Sequence, residues 1–339
     1  MKINKKSFMI TLVAAMLVFT GCSKEKEETK QAPSEENQQD TASEEKQDDQ
    51  SNDEKQQNAG TDFIVKAEPQ KIEHMHGIGY PGNDEGLYVA SHNGIKIYKD
   101  GQWFETTAEK HDYMGFQAVK DGFYSSGHPE EGSSLKNPLG LVKSTDFGKS
   151  LEKAAFYGES DFHFLSASYL DQTLYVINEQ PNSELDAGVY VSKDNAKSWE
   201  QIALKGLDTN TLGMIAVHPD KGETFAMATK EGVFVSNDSG KTVKENGNYE
   251  MVTAAAFSKE SLYISPVEDK KMKLVKLDEG IEGVELPIPT LAYDNPITYI
   301  AADYEEEGRI AFITILNDLY ESTDGGQTWK QILVNGKIK

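Results

Sequence analysis

A chain of 339 residues with 56 acidic against 34 basic side chains carries a formal charge of −22 at pH 7, and its lysines are spread rather than clustered. Such an acidic surface repels a polyphosphate backbone, which excludes nucleic-acid binding. A single arginine, Arg309, excludes any site built on several guanidinium groups, and a single cysteine, Cys22, excludes an intramolecular disulfide.

Residues 1–21 read as a secretion signal. Lys2, Lys5 and Lys6 make a basic start, and Phe8 to Phe19 is an apolar stretch too short to span a bilayer comfortably. The stretch closes with Phe19-Thr20-Gly21-Cys22, which resembles a bacterial lipobox with Phe where Leu is usual. The resemblance implies that Cys22 is diacylated and becomes the mature N-terminus, anchored on the outer side of the cytoplasmic membrane. Residues 22–60 follow as an acidic linker with no aromatic and no large aliphatic side chain. That composition buries too little apolar surface to offset the entropy of ordering, so a disordered tether is expected. As a flexible coil it holds the next domain on the order of 30–40 Å from its anchor.

Residues 61–339 carry four copies of one short turn. They are Ser144-Thr-Asp146-Phe-Gly148-Lys-Ser150, Ser192-Lys-Asp194-Asn-Ala196-Lys-Ser198-Trp199, Ser236-Asn-Asp238-Ser-Gly240-Lys-Thr242 and Ser322-Thr-Asp324-Gly-Gly326-Gln-Thr328-Trp329. Each follows a short β-branched or aromatic run. An Asp carboxylate can accept backbone N–H groups across such a turn, and the Gly permits positive φ. The pattern resembles the Asp-box, or BNR repeat, found in sialidases, sortilin-type receptors and photosystem assembly factors. The resemblance implies a β-propeller in which Asp146, Asp194, Asp238 and Asp324 are hairpin staples and Trp199 and Trp329 pack between sheets. Ala196 stands in for Gly, and Leu151 and Val243 for Trp, so looser turns are expected there.

The spacing is that of an all-β fold of six four-stranded blades, each roughly 40–50 residues long. Inner strands are expected to begin near His74, Met114, Asp161, Leu212, Met251 and Pro296. Second strands are expected at Leu87–Ser91, Gly122–Ser126, Thr173–Ile177, Thr224–Thr229, Ser261–Ser265 and Arg309–Leu316. The first blade keeps only a decayed turn, Lys99-Asp100-Gly101-Gln102-Trp103, and the fifth has lost it within Lys270–Leu286. Trp103, Trp199 and Trp329 share one repeat position, which makes them packing elements.

Strand order alone predicts a working face. First strands start, and second strands end, at one mouth of the channel, whereas the repeated turns lie at the other. That places His74, His76, His92, His128, Asp161 and His163 at one mouth, with His111, Asp112, Met114, Glu179 and Met214 as further candidates. His218 falls at the opposite face. His74 and His76 are two apart on an expected strand and so point the same way. Neutral imidazoles with a carboxylate suit a transition metal, zinc or copper, and a methionine thioether would favour copper. Hydrogen bonding of these histidines to loop backbone is the alternative. The phrases His74-Met-His76-Gly-Ile-Gly, Ala90-Ser-His92-Asn-Gly, Tyr113-Met-Gly-Phe, Ser126-Gly-His128-Pro and Asp161-Phe-His163 resemble bacterial exported BNR-repeat proteins labelled glycosyl hydrolase-like.

Sialidases hold a carboxylate with three arginines, which Arg309 alone cannot supply. Another glycoside hydrolase would need two carboxylates about 5 Å apart for retention or roughly 6.5–9.5 Å for inversion, and Asp112, Asp161 and Glu179 keep that alternative open. No P-loop, dinucleotide fingerprint or nucleophile elbow occurs. The expectation is a lipid-anchored, extracytoplasmic binding or assembly module whose partner is a protein, a glycan or a metal.

Overall fold

The computed structural model describes residues 62–209, 211, 213–278 and 283–339. The signal, Cys22, the linker and the strand start expected at Leu212 lie outside the described residues. Among those described there is no helix, and the strands form six antiparallel sheets, a six-bladed β-propeller.

The inner strands are Met75–Gly79, Asp112–Val119, Leu165–Ala167, Ile215–Val217, Val252–Phe257 and Ile297–Ala302. Second strands run Leu87–Ser91, Gly122–His128, Leu174–Asn178, Phe225–Thr229, Ser261–Glu268 and Ile310–Thr314, within a few residues of the sequence expectation. Two sheets have a fifth strand. Ile64–Lys66 pairs outside Gln102–Thr106 in blade 1, and Lys271–Met272 pairs with the end of Ser261–Glu268 in blade 5.

Four second strands, Leu87–Ser91, Leu174–Asn178, Phe225–Thr229 and Ile310–Thr314, are buried at every residue. The cause is a period of two feeding two different cores. Leu87 and Val89 pack between blades 6 and 1, while Tyr88 and Ala90 pack between blades 1 and 2. Tyr175 and Ile177 meet Phe225 and Met227 between blades 3 and 4, and Ala226 and Ala228 face blade 5. The molecule therefore has six apolar seams, one between each pair of neighbouring blades. Trp103, Trp199 and Trp329 belong to three of them.

All four repeated turns close alike. In the first, Ser144 donates to Asp146 at 2.9 Å and accepts the Gly148 N–H, while Asp146 accepts the Ser150 N–H at 2.9 Å and its hydroxyl at 2.7 Å. The turn at Asp194 repeats the set, with Ala196 held at φ 65° and its N–H on Ser192 at 3.0 Å. The Ala-containing turn is thus no looser than the others, because its side-chain bonds hold the left-handed backbone that Ala otherwise avoids. In blade 1 Asp100 and Gly101 take φ 53° and 76°, the two-residue hairpin favoured by Asp-Gly.

Residues from the two ends of the described chain close the ring. Ile72 donates its N–H to Gly336 and Ile338 donates to Gln70, both at 2.8 Å, and Ile72 and Ile338 enter the seam between blades 6 and 1. At the face opposite the histidines, loops between first and second strands meet across the axis. Tyr169 of blade 3 stacks on Tyr304 of blade 6 at 4.5 Å, and Lys259 lies 4.1 Å over the Tyr304 ring.

Candidate functional site: a histidine-lined mouth

Four of the six inner strands begin with an extra residue in the ladder, which leaves His76, Met114 and Thr298 unpaired between their neighbours and sets Thr253 and Ala254 against Ser265 in blade 5. A bulge at a strand start turns its side chain away from the strict alternation and toward the mouth. In blade 1 the preceding His74 adopts φ 51°, a left-handed conformation that His tolerates better than most residues. The rings of His74 and His76 both converge on His92, at centroid distances of 4.8 and 4.7 Å. Their convergence was expected from strand alternation. His74 instead precedes the strand and His76 occupies its bulge, so local backbone distortion brings them together.

His92 sits in the tight turn Ser91-His92-Asn93-Gly94, where the Ser91 hydroxyl donates to the Gly94 carbonyl at 2.8 Å. Blade 4 builds the same turn with Thr229 and Gly232, and places Lys230 and Glu231 where blade 1 has His92 and Asn93. The histidines therefore decorate a repeated scaffold. His92 Nδ1 lies 2.9 Å from Asp112 Oδ2, and the donor atoms of His76, His92 and Asp112 all fall within 4.8 Å of one another.

His76 Nε2 and Asp112 Oδ1 are buried without a hydrogen-bond partner. Burial, followed by the charges of His92, His74 and His163, lowers the His76 pKa to about 4. The ring is neutral at pH 7, the form that ligates metals.

A second group lies between blades 2 and 3. Asp112 and His128 are cross-strand partners, so it is contiguous with the first. Gly115 allows the approach: a Cβ there would meet the Phe162 carbonyl oxygen at 2.2 Å, and the Phe162 N–H donates to Ser126 Oγ at 2.9 Å. The segment so docked carries Asp161 and His163. Asp161 Oδ2 lies 3.2 Å from His128 Nε2 and 3.5 Å from His163 Nε2, and Glu179 Oε2 lies 3.7 Å from His163 Nδ1. Asp161 Oδ1 is buried and unpartnered.

Other candidates lie elsewhere. His111 is fully buried, with Nε2 2.8 Å from Glu109 and Nδ1 accepting the Glu130 N–H, so it organises a loop. Met214 packs against the seam between blades 4 and 5. Met114 occupies the blade 2 position that corresponds to His76. His218 follows the end of its inner strand and pairs with Asp220 at 2.9 Å. Asp146, Asp194, Asp238 and Asp324 bond within their turns. Sequence reasoning missed Asn137, whose Oδ1 lies 2.7 Å from His128 Nδ1, because it belongs to a loop with no periodic signal.

No protein-family model matches the chain, and no curated protein matches it either. Solved structures share its fold. The GH74 enzyme of Niastella koreensis aligns with TM-score 0.51 at 13% identity, over 79% of this chain and 46% of that one. The GH74 xyloglucanase of Xanthomonas campestris aligns with TM-score 0.50 at 14% identity, over 80% and 47%. YCF48 from Cyanidioschyzon merolae aligns with TM-score 0.49 at 12% identity, over 81% and 90%. The chain thus spans less than half the length of the two GH74 enzymes, and at these identities the likeness is one of fold alone.

Proposed function

We propose that the protein is a lipid-anchored, extracytoplasmic binding propeller that holds a transition-metal ion at its histidine mouth and uses it to capture a partner. The observation that carries this reading is the convergence of His76, His92 and Asp112, with donor atoms mutually within 4.8 Å. Ligands bound tetrahedrally about 2.0–2.2 Å from one zinc ion stand roughly 3.3–3.6 Å apart, so side-chain rotation of about an ångström closes the site. Two imidazoles and one carboxylate leave a coordination position for an outside donor, from a protein or a glycan. Two imidazole nitrogens and a carboxylate oxygen suit Zn²⁺ or Cu²⁺.

Metal content and calorimetric titration of protein purified without a histidine tag test the reading. Substituting His76 and His92 together by Ala is expected to weaken Zn²⁺ or Cu²⁺ binding by 100-fold or more while the thermal midpoint of the metal-free protein stays unchanged. Equal affinity in the double variant would overturn the proposal. The anchor is tested separately by Cys22→Ala, which is expected to move the protein from the membrane fraction to the medium or to leave the signal uncleaved. Unchanged membrane retention with a cleaved N-terminus would refute it.

A further inference from the structure

We infer that the captured partner is a basic protein segment with an apolar anchor, which seats on an exposed hydrophobic patch at the mouth end of blade 6. The inference rests on the reading of this face as the one that captures a partner, and not on the ion. Among the described residues six large apolar side chains are exposed, and four of them belong to this one place. Tyr293 is 58% exposed, Ile315 56%, Leu316 49% and Val334 38%. Of the other two, Leu170 lies in a loop at the opposite face and Val284 on the outermost strand of blade 5. Tyr293 precedes the inner strand Ile297–Ala302, Ile315 and Leu316 follow the second strand Ile310–Thr314, and Val334 follows the fourth strand Lys330–Leu333. Antiparallel order puts those three strand ends at the histidine mouth, beside blade 1.

Asp318 ties the three loops into one platform. Its Oδ2 accepts from the Asn295 amide at 3.0 Å, and its Oδ1 accepts the Asn335 N–H at 2.9 Å. The Ile315 N–H donates to the Pro296 carbonyl at 2.9 Å and the Leu316 N–H to Asn295 Oδ1 at 3.0 Å. The Gly336 N–H donates to the Asn317 carbonyl at 2.8 Å. These bonds fix the backbone of all three loops, so the apolar side chains are presented to solvent on an ordered surface. Clustered exposure of that kind marks a place where another molecule binds.

Charge selects the occupant. The exposed carboxylates Glu131, Glu184, Asp186, Asp208, Glu250 and Asp294 all stand in loops that meet this mouth. With a formal charge of −22, the chain repels both a second copy of itself and an anionic bilayer surface, and attracts lysine and arginine side chains. A segment that offers basic residues to the rim and apolar ones to blade 6 answers both features. Burial of the apolar residues supplies affinity, and the charges steer the encounter.

Selection of a phage-displayed library of random peptides on the protein, in excess chelator, tests the inference apart from the metal. Enriched peptides are expected to combine Lys or Arg with a large apolar residue. Their synthetic copies should bind about ten-fold or more weakly to the variant carrying Tyr293→Ser, Ile315→Ser and Leu316→Ser. Their affinity for wild type should fall as salt is raised.

Equal affinity for the variant would overturn the patch, and enrichment of acidic or uncharged peptides would overturn the assignment by charge. Failure to enrich any peptide would overturn the inference too. Sedimentation with phosphatidylglycerol vesicles, or self-association, that is lost in the variant would then give the patch to lipid or to a second copy. The three positions are exposed, so the thermal midpoint and Zn²⁺ affinity of the variant should match wild type. Leu316→Ser alone, with a smaller loss of peptide affinity, serves as the second variant should the triple one misfold. None of these peptide results bears on the titration of His76 and His92.

Discussion

His76 reaches the mouth because one extra residue in its ladder turns it there, and the repeat fills the corresponding position with Met114 in blade 2 and Thr298 in blade 6. The placement of histidines at one mouth was legible from strand order, but the bulges were not, because they depend on how two strands pair. His111 shows the complementary limit. It has the spacing of a mouth residue, yet the Glu130 N–H captures Nδ1 and the ring is buried. Charge burial makes a further residue decisive for stability. Lys96 is buried along its length against Glu105, which also accepts from Gln70 at 3.2 Å. Burial, helped by the charge of Lys110, lowers the lysine pKa, and Glu105 opposes that. Glu105→Ala strands the lysine, and chemical denaturation is expected to show a loss of about 3 kcal/mol, with Lys96→Met in the same background recovering most of it.

The repeated turn is the element whose chemistry was most fully readable, since all its bonds lie within seven residues. Its acid response follows from those bonds. The Thr328 hydroxyl and N–H lower the Asp324 pKa to about 2, and Ser198 does the same for Asp194. A carboxyl whose folded pKa lies below its ordinary value near 3.8 contributes stability above that value and loses it as pH falls through the folded one. The thermal midpoint should therefore drop between about pH 4 and pH 2, and Asp324→Asn should flatten that arm while lowering the midpoint at neutral pH. An unchanged acid arm would show that the turns do not titrate with folding.

The Trp that follows the turn acts through packing. Trp329 lies 4.7 Å from the Phe312 ring and donates Nε1–H to the Gly326 carbonyl at 3.1 Å. Trp329→Ala is expected to cost about 2–4 kcal/mol in denaturant unfolding with metal binding intact. Loss of binding at full stability would move the working face to the turn side.

Across the whole molecule, closure rather than any one blade holds the mouth together. The His76–His92–Asp112 group draws on blades 1 and 2, and the His128–Asp161–His163 contacts on blades 2 and 3, so both depend on the angles between neighbouring blades. Those angles are held by the six seams and by the pairing of residues 70–72 with 336–338. Ile338 is buried in the closing seam. Ile338→Ala should cost about 2–4 kcal/mol and lower the single thermal transition of the propeller. A separate early transition confined to blade 6 would show that the ring does not unfold cooperatively. At the far face the contact of Tyr169 with Tyr304 bridges opposite blades, while at the histidine face His76 Nε2, Asp112 Oδ1 and Asp161 Oδ1 are buried without partners.

Blade number, the structural role of the repeated Asp residues and the exclusion of an arginine-triad sialidase all followed from local patterns, because hairpin turns and strand alternation are short-range physics. The same patterns assigned His92, His128 and His163 to one side of the ring, since antiparallel order dictates where each strand begins and ends. Division of those residues into two carboxylate-centred groups could not be read that way. It arises from the left-handed backbone at His74, the bulge at His76, the close approach at Gly115 and the docking of Phe162 on Ser126. Each of these except the turn at His74 joins residues far apart in the chain, and a ligand sphere of about 2 Å radius is decided by such contacts and not by sequence spacing.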